Sequence, residues 1–257
     1  MADLGFVKRQ PVLRAAPLEL AICQVRFPRQ IGLSDSDIRP IQLALAKSFP
    51  QVQVGRSANF ELGPEGVREQ DSPQAIYQFL SVDRAWTVTV TAESFSLETT
   101  AYHDFSDFLA RWIAASGVVV DAIGIASQTR IGLRYVNRLA CPERPTPADL
   151  AKIVRPELVG VVGANELLSR LRMSMQELRF EQDRGTCTLR HGLVPDSDAA
   201  DRYILDLDFY DDTSAVFDVD AQSRLLADFN HSTFELFKWC VQKDHFLTFR
   251  PEEPSDA

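Results

Sequence analysis

The stretch with the most chemical potential is Arg130-Ile131-Gly132-Leu133-Arg134-Tyr135-Val136-Asn137-Arg138. Side chains alternate along an extended strand, so Arg130, Gly132, Arg134, Val136 and Arg138 share one face, with about 7 Å between successive same-face positions. A row of guanidiniums at that spacing could follow the phosphates of an extended backbone or hold an acidic partner. The structural alternative is pairing with carboxylates on a neighbouring strand. On the opposite face Ile131, Leu133, Tyr135 and Asn137 read as core-facing residues, the polar ones with buried hydrogen bonds. Asp206 and Asp208 also share a strand face, together with Arg202. Alternating aspartates can hold Mg²⁺ for phosphoryl transfer or hydrolysis. No P-loop, Gly-rich nucleotide fingerprint or suitably spaced third carboxylate accompanies them, and pairing with Arg172 or Arg190 is the alternative.

Other side chains add little chemistry. His103, His191, His231 and His245 form neither HxH nor HxxxH, so zinc ligation within one segment is not expected. His103 and His231 each have a carboxylate four residues on, Asp107 and Glu235. Such a pair stabilises a helix or orients a general base. There is no GxSxG elbow, and no cysteine lies in a nucleophile motif. Cys23, Cys141, Cys187 and Cys240 are widely spread without CxxC, which fits buried thiols in a reducing cytoplasm. No catalytic residue, metal or cofactor is therefore assigned.

The elements that position these residues follow from periodicity. Leu18 to Phe27 reads as a strand. Ser34-Asp35-Ser36-Asp37 starts a helix carrying Ile38, Ile41, Leu45 and Phe49, with Pro40 in its first turn and Pro50 at its end. Strands are expected over Gln51 to Leu62, closed by Gly63-Pro64-Glu65-Gly66, and over Ile76 to Val82. Trp86, Val88 and Val90 alternate with threonines, and Phe95 and Leu97 follow a turn at Ala92-Glu93-Ser94. Phe105 to Ala115 is a helix with Phe108, Leu109, Trp112 and Ile113 on one stripe. Ser127 to Leu139 is a strand. Three prolines between Cys141 and Pro147 mark a linker, and Thr146 caps a helix that opens at Pro147. Beyond it, Leu171, Met173 and Met175 alternate, a parity change at Leu178 and Phe180 implies a bulge, and Cys187 to Val194 and Tyr203 to Tyr210 are strands. Ala221 to Gln242 is a long helix, and Phe246 to Phe249 an edge strand. Tyr102 to Phe108 and Asn230 to Leu236 echo one another loosely, as a duplication would or as two sheet-packed helices that share an apolar stripe would.

Composition bounds the rest. The chain has 257 residues, of which 45% are apolar and 25% charged, ordinary for a globular protein. Twelve glycines and 14 prolines exclude collagen-like and low-complexity classes. A net charge of −9 disfavours nucleic acid unless basic residues concentrate locally. No secretory leader or membrane-length apolar run is seen, so a cytoplasmic, non-membrane protein is expected. The 16 phenylalanines serve core packing or line an apolar groove.

Four segments carry a family resemblance: Ala16-Pro17-Leu18-Glu19-Leu20 with Val25-Arg26-Phe27-Pro28, Tyr102 to Phe108, Arg130 to Arg138, and Leu205-Asp206-Leu207-Asp208-Phe209-Tyr210. With them the chain resembles an uncharacterised, sporadically distributed prokaryotic family of about this length, marked above all by its R-I-G-L-R-Y-V-N motif. The resemblance implies an α+β body and an accessory role, as in mobile-element or defence-linked gene clusters.

The expected fold is α+β. Two similar halves of antiparallel sheet, 1–140 and 141–257, form one continuous body, with long amphipathic helices packed on one face. The expected function is non-enzymatic: binding or assembly beside another protein. The alternatives are a nucleic-acid or phospholigand binder using Arg130, Arg134 and Arg138, and a metal-dependent phosphoryl-transfer or hydrolytic enzyme at Asp206 and Asp208.

Overall fold

The computed structural model describes residues 10–57, 60–63, 66–69, 74–160, 171, 173–182, 184–195 and 201–252. Pro64, Glu65, Arg172 and the tail beyond Glu252 lie outside them. The fold is α+β, dominated by antiparallel strand pairs. Its frame is a pair of long strands, β2 (Leu18–Arg26) and β10 (Arg130–Ala140). On the β10 side lie β13 (Asp201–Asp211), β12 (Thr186–Pro195) and, at the edge, β11 (Gln176–Glu181). On the β2 side lie β8 (Ser94–Thr99), β7 (Trp86–Val90), β6 (Gln74–Leu80) and β3 (Gln51–Ser57). All nine strands thus make one sheet. Small pairs join β1 (Val12–Leu13) to β15 (Pro251–Glu252), β4 (Phe60–Gly63) to β5 (Gly66–Glu69), and β9 (Ser127–Gln128) to β14 (Ala215–Val216).

Alternation along each strand decides which face the helices cover. Ala21, Cys23 and Val25 of β2, Val88 and Val90 of β7, Phe95 and Leu97 of β8, and Ile131, Leu133 and Tyr135 of β10 are buried on one side. Helices α1 (Asp35–Leu45), α2 (Phe105–Ile123) and α5 (Val219–Cys240) pack there. Trp112 of α2 stacks on Phe95 with ring centroids 4.8 Å apart, and both are buried. A second apolar cluster gathers Leu139, Leu189, Leu205 and Leu207 against Phe237 of α5 and Leu150 and Ile153 of α3 (Pro147–Ile153). Two short helices, α4 (Pro156–Val159) and α6 (Lys243–Leu247), complete that end. Among the described residues no helix is long and apolar enough to cross a membrane.

Capping fixes the helix ends. Asp37 accepts the Ser34 backbone N–H at 2.9 Å, and Thr146 and Asp149 form a reciprocal capping box at α3. Asp104 accepts the Asp107 N–H at 2.9 Å at the start of α2. That helix runs past Ala115 to a left-handed Gly124, φ 74°, which closes its last turn. Its β-branched run Val118-Val119-Val120 masks the helical extension at the level of propensity, and Val119 at the helix-packed face overrides it.

Several expectations are corrected. Pro40 lies in the second turn of α1, where it removes an internal backbone bond, and the helix closes at Leu45, before Pro50. The Phe246 to Phe249 segment is α6 and a following turn, because Phe246 folds back onto Phe234, Phe237 and Phe249. No bulge occurs at Leu178 and Phe180. They pair regularly with Leu189 and Cys187, and the alternating residues before them precede the strand. The echo between Tyr102–Phe108 and Asn230–Leu236 does not mark equivalent places: His103 precedes α2, whereas His231 lies inside α5.

Replacing Trp112 with alanine should lower unfolding stability by about 3–5 kcal/mol, because it empties the contact between α2 and the sheet. The exposed Leu43→Ala on α1 should stay within about 0.5 kcal/mol. Chemical denaturation monitored by far-UV circular dichroism checks both.

Candidate functional site: an arginine pocket on the open sheet face

The face turned away from the helices carries the charges. Arg130, Arg134 and Arg138 alternate there with the buried Ile131, Leu133, Tyr135, Asn137 and Leu139. The buried polar pair is satisfied: Tyr135 donates its hydroxyl to Asn230 Oδ1 at 3.0 Å, and Asn137 donates to the Leu205 carbonyl at 3.3 Å. Each arginine has a carboxylate partner. Arg134 donates Nε–H and Nη2–H to the two oxygens of Asp206, both at 2.7 Å. Arg130 donates to Asp208 at 3.1 Å, and Arg138 Nε lies 2.7 Å from Glu19. The aspartates are therefore engaged with guanidiniums. Arg190 of β12 adds a second cation 3.5 Å from Asp206, and Arg172 lies outside the described residues. Burial pushes the Asp208 carboxyl up, against the lowering pull of Arg130 and Arg134. The Asp206 hydrogen bonds hold Arg134 more firmly charged.

The register brings together residues far apart in sequence. Arg26, the last residue of β2, stands directly across from Arg130, the first of β10. Like charges at directly opposed positions repel; among the described residues Arg130 bonds Asp208, whereas Arg26 Nε donates to Gln24 at 3.3 Å. Arg179 from β11 and Arg190 from β12 approach from the other side, sharing Glu177 at 2.9 and 2.7 Å. These four arginines line a cavity of about 480 Å³ whose only carboxylates, among the described residues, are Asp208 and Asp212. Charge in the lining is thus positive by two. The Arg130 guanidinium lies over the Tyr210 ring at 4.4 Å. Gly132 makes room for this, because a Cβ there would come within 3.1 Å of both Arg130 Nη1 and Tyr210 Cβ. Crowding, and not backbone conformation, is what asks for glycine in the R-I-G-L-R motif.

Of the residues singled out in sequence, Arg130 and Asp208 line the pocket, whereas Arg134, Arg138 and Asp206 lie further along the same face. Arg26, Arg179 and Tyr210 were missed as site residues, and Arg190 was seen only as a pairing partner. Parity was a usable signal for Arg26, which alternates with the buried Val25. His103 bonds Asp104 at 2.7 Å, while Asp107 pairs with Arg111 at 3.1 Å. His231 Nδ1 lies 3.3 Å from Gln10 Nε2. Neither histidine is joined to its i+4 carboxylate by these bonds. All four cysteines are buried thiols, and burial pushes Cys187 and Cys240 up to about 12.

One further side chain on this face was not foreseen. Glu98 of β8 sits between Ile22 and Thr87. Burial alone raises its carboxyl pKa.

No protein-family model matches the chain, and no curated protein matches it.

Two predictions follow from these charges. Asp206→Ala removes both hydrogen bonds of Arg134 to a carboxylate, leaving Arg190 its bond to Glu177. It should cost about 1.5–3 kcal/mol in denaturant unfolding, the worth of hydrogen bonds to a charged group. Glu98→Gln should do the opposite at neutral pH. Its folded pKa lies above the unfolded value, so the ionised form opposes folding. The advantage of Glu98→Gln is full above the folded pKa and vanishes below the unfolded one, about 4.3. Thermal unfolding of both proteins across that range measures the gap.

Proposed function

We propose that this chain is a non-enzymatic binding protein whose ligand presents a compact anionic group, a phosphate or a carboxylate, to the pocket of Arg26, Arg130, Arg179 and Arg190. The opposed Arg26–Arg130 pair carries the reading. Two arginines oppose each other at strand ends, Arg130 held by Asp208 on its far side and Arg26 bonded to Gln24. An arriving anion would relieve that repulsion while accepting charge-assisted hydrogen bonds. The depression is open and polar, with room to seat a small anionic group against the four arginines. Planar guanidinium forks favour phosphate and carboxylate over halides.

This reading keeps the phospholigand alternative and moves its centre from the Arg130, Arg134, Arg138 row to a pocket that shares only Arg130 with it. Engagement of Arg134 with Asp206 and of Arg138 with Glu19 supports the move. The same engagement of Asp206 and Asp208 weighs against a metal-dependent phosphoryl-transfer or hydrolytic enzyme at those residues. A wider role as an assembly or accessory factor is compatible with a protein that reports a bound ligand through an exposed sheet face. Two similar halves are likewise part of the proposal. With the halves at 1–140 and 141–257, each carries a group of antiparallel strands and one long helix, α2 in the first and α5 in the second.

Isothermal titration with pyrophosphate and with a dicarboxylate should show binding that weakens as salt rises. Arg26→Ala and Arg130→Ala should each weaken it roughly tenfold or more, the equivalent of about 1.5–3 kcal/mol. Arg138→Ala, outside the pocket, should bind as the parent does. Equal binding by all three variants, or none by the parent, would overturn the assignment.

A further inference from the structure

We propose that a second copy of this chain docks on strand β11, joining two sheets edge to edge across a twofold axis at Leu178. Among the described residues β11 has one sheet neighbour, β12. Its pairing fixes which backbone groups are free. The Gln182 N–H bonds the Gly185 carbonyl at 3.0 Å, and the Ser174 N–H bonds the Leu193 carbonyl at 2.9 Å. Hydrogen-bonded pairs alternate with non-bonded ones along an antiparallel ladder. Even-numbered residues of β11 therefore bond β12, and Glu177, Arg179 and Glu181 turn their N–H and C=O groups to the outer edge. Unpaired outward groups on an edge strand are a template for another strand.

Side-chain charge then selects the partner and the register. Registers of β11 against itself that let outward groups bond one another are centred on a residue. Those at Glu177, Arg179 or Glu181 oppose like charges, whereas those at Leu178 or Phe180 oppose Arg179 to a glutamate twice. Leu178 is favoured because it overlaps the two strands over Gln176–Phe180, against Arg179–Glu181 for Phe180. A twofold at Arg179 would oppose Arg179 to Arg179 and Glu177 to Glu181, all like charges. A twofold at Leu178 opposes Glu177 to Arg179 twice, both complementary, and sets Leu178 against Leu178. Opposite charges across a pair stabilise and like charges destabilise. On the helix-side face Leu178 and Phe180 are 39% and 38% exposed, and this register gives each an apolar or amide neighbour, Leu178 or Gln176 of the second copy. A self-complementary patch is what an isologous twofold interface requires. Because Arg179 also lines the pocket, the two pockets would flank the joint on one continuous face.

A charge-swap experiment tests this. Sedimentation velocity of the parent at high micromolar concentration should show a dimer. Arg179→Glu alone and Glu177→Lys alone should each raise the dimer dissociation constant by at least about tenfold, since each opposes like charges at both sites. An equimolar mixture of the two variants should dimerise again, because both cross-pairs become complementary. Circular dichroism of each variant establishes that it is folded. A monomeric parent overturns the proposal, as does a parent that takes up an extended peptide on this edge in place of itself. Variants that dimerise like the parent, or a mixture that stays monomeric, overturn it as well.

Discussion

One strand sets the constraint from which the rest follows. In β10 every second side chain is apolar or a satisfied polar group turned toward the helices, and the residues between them include Arg130, Arg134 and Arg138. A slip of one residue would drive guanidiniums into the core and leave leucines in water. The helices can cover only one face, so the charges on the other must be neutralised sideways, across strands. Asp206, Asp208 and Glu19 supply that neutralisation from both neighbours of β10. The sheet is held on one side by burial and on the other by a lateral network of ion pairs.

That network balances along most of β10 and fails at one end. Arg134 and Arg138 find carboxylates within 2.7 Å. At the start of the strand the register sets Arg130 against Arg26, and the additional arginines of β11 and β12 reach the same space. The local excess of positive charge in an acidic protein is therefore a product of strand pairing. It makes the pocket attractive to an anion even though the protein as a whole repels polyanions, which favours a small ligand over a long nucleic acid.

Much of the fold was legible because its signals are local. The threonine alternation at Trp86–Val90, the caps at Ser34 and Thr146, and the strand around Arg130 each depend on neighbouring residues. Failures came where distant packing decides. Phe246–Phe249 has a strand-like composition, yet contacts with Phe234 and Phe237 coil it. The helix α2 passes through Gly117 and three valines because one side of that run joins the core. The site was half legible for the same reason. Arg130 and Asp208 stand out in their own segments, but no local pattern reveals that Arg26 lies opposite Arg130, or that Arg179 and Arg190 converge there. Those facts belong to register, which arises only when five strands, β2, β10, β13, β12 and β11, meet.

The central claim is that Arg134 and Arg138 are held by carboxylates along β10, whereas the pocket at the start of that strand keeps an excess of positive charge for an anion. Side-chain Nε–Hε resonances of isotopically labelled arginines test it directly during a titration with pyrophosphate. The account predicts shifts for Arg26, Arg130, Arg179 and Arg190, with Arg134 unmoved in its pairing with Asp206. Shifts centred on Arg134 and Arg138, or spread evenly over the surface arginines, would contradict it.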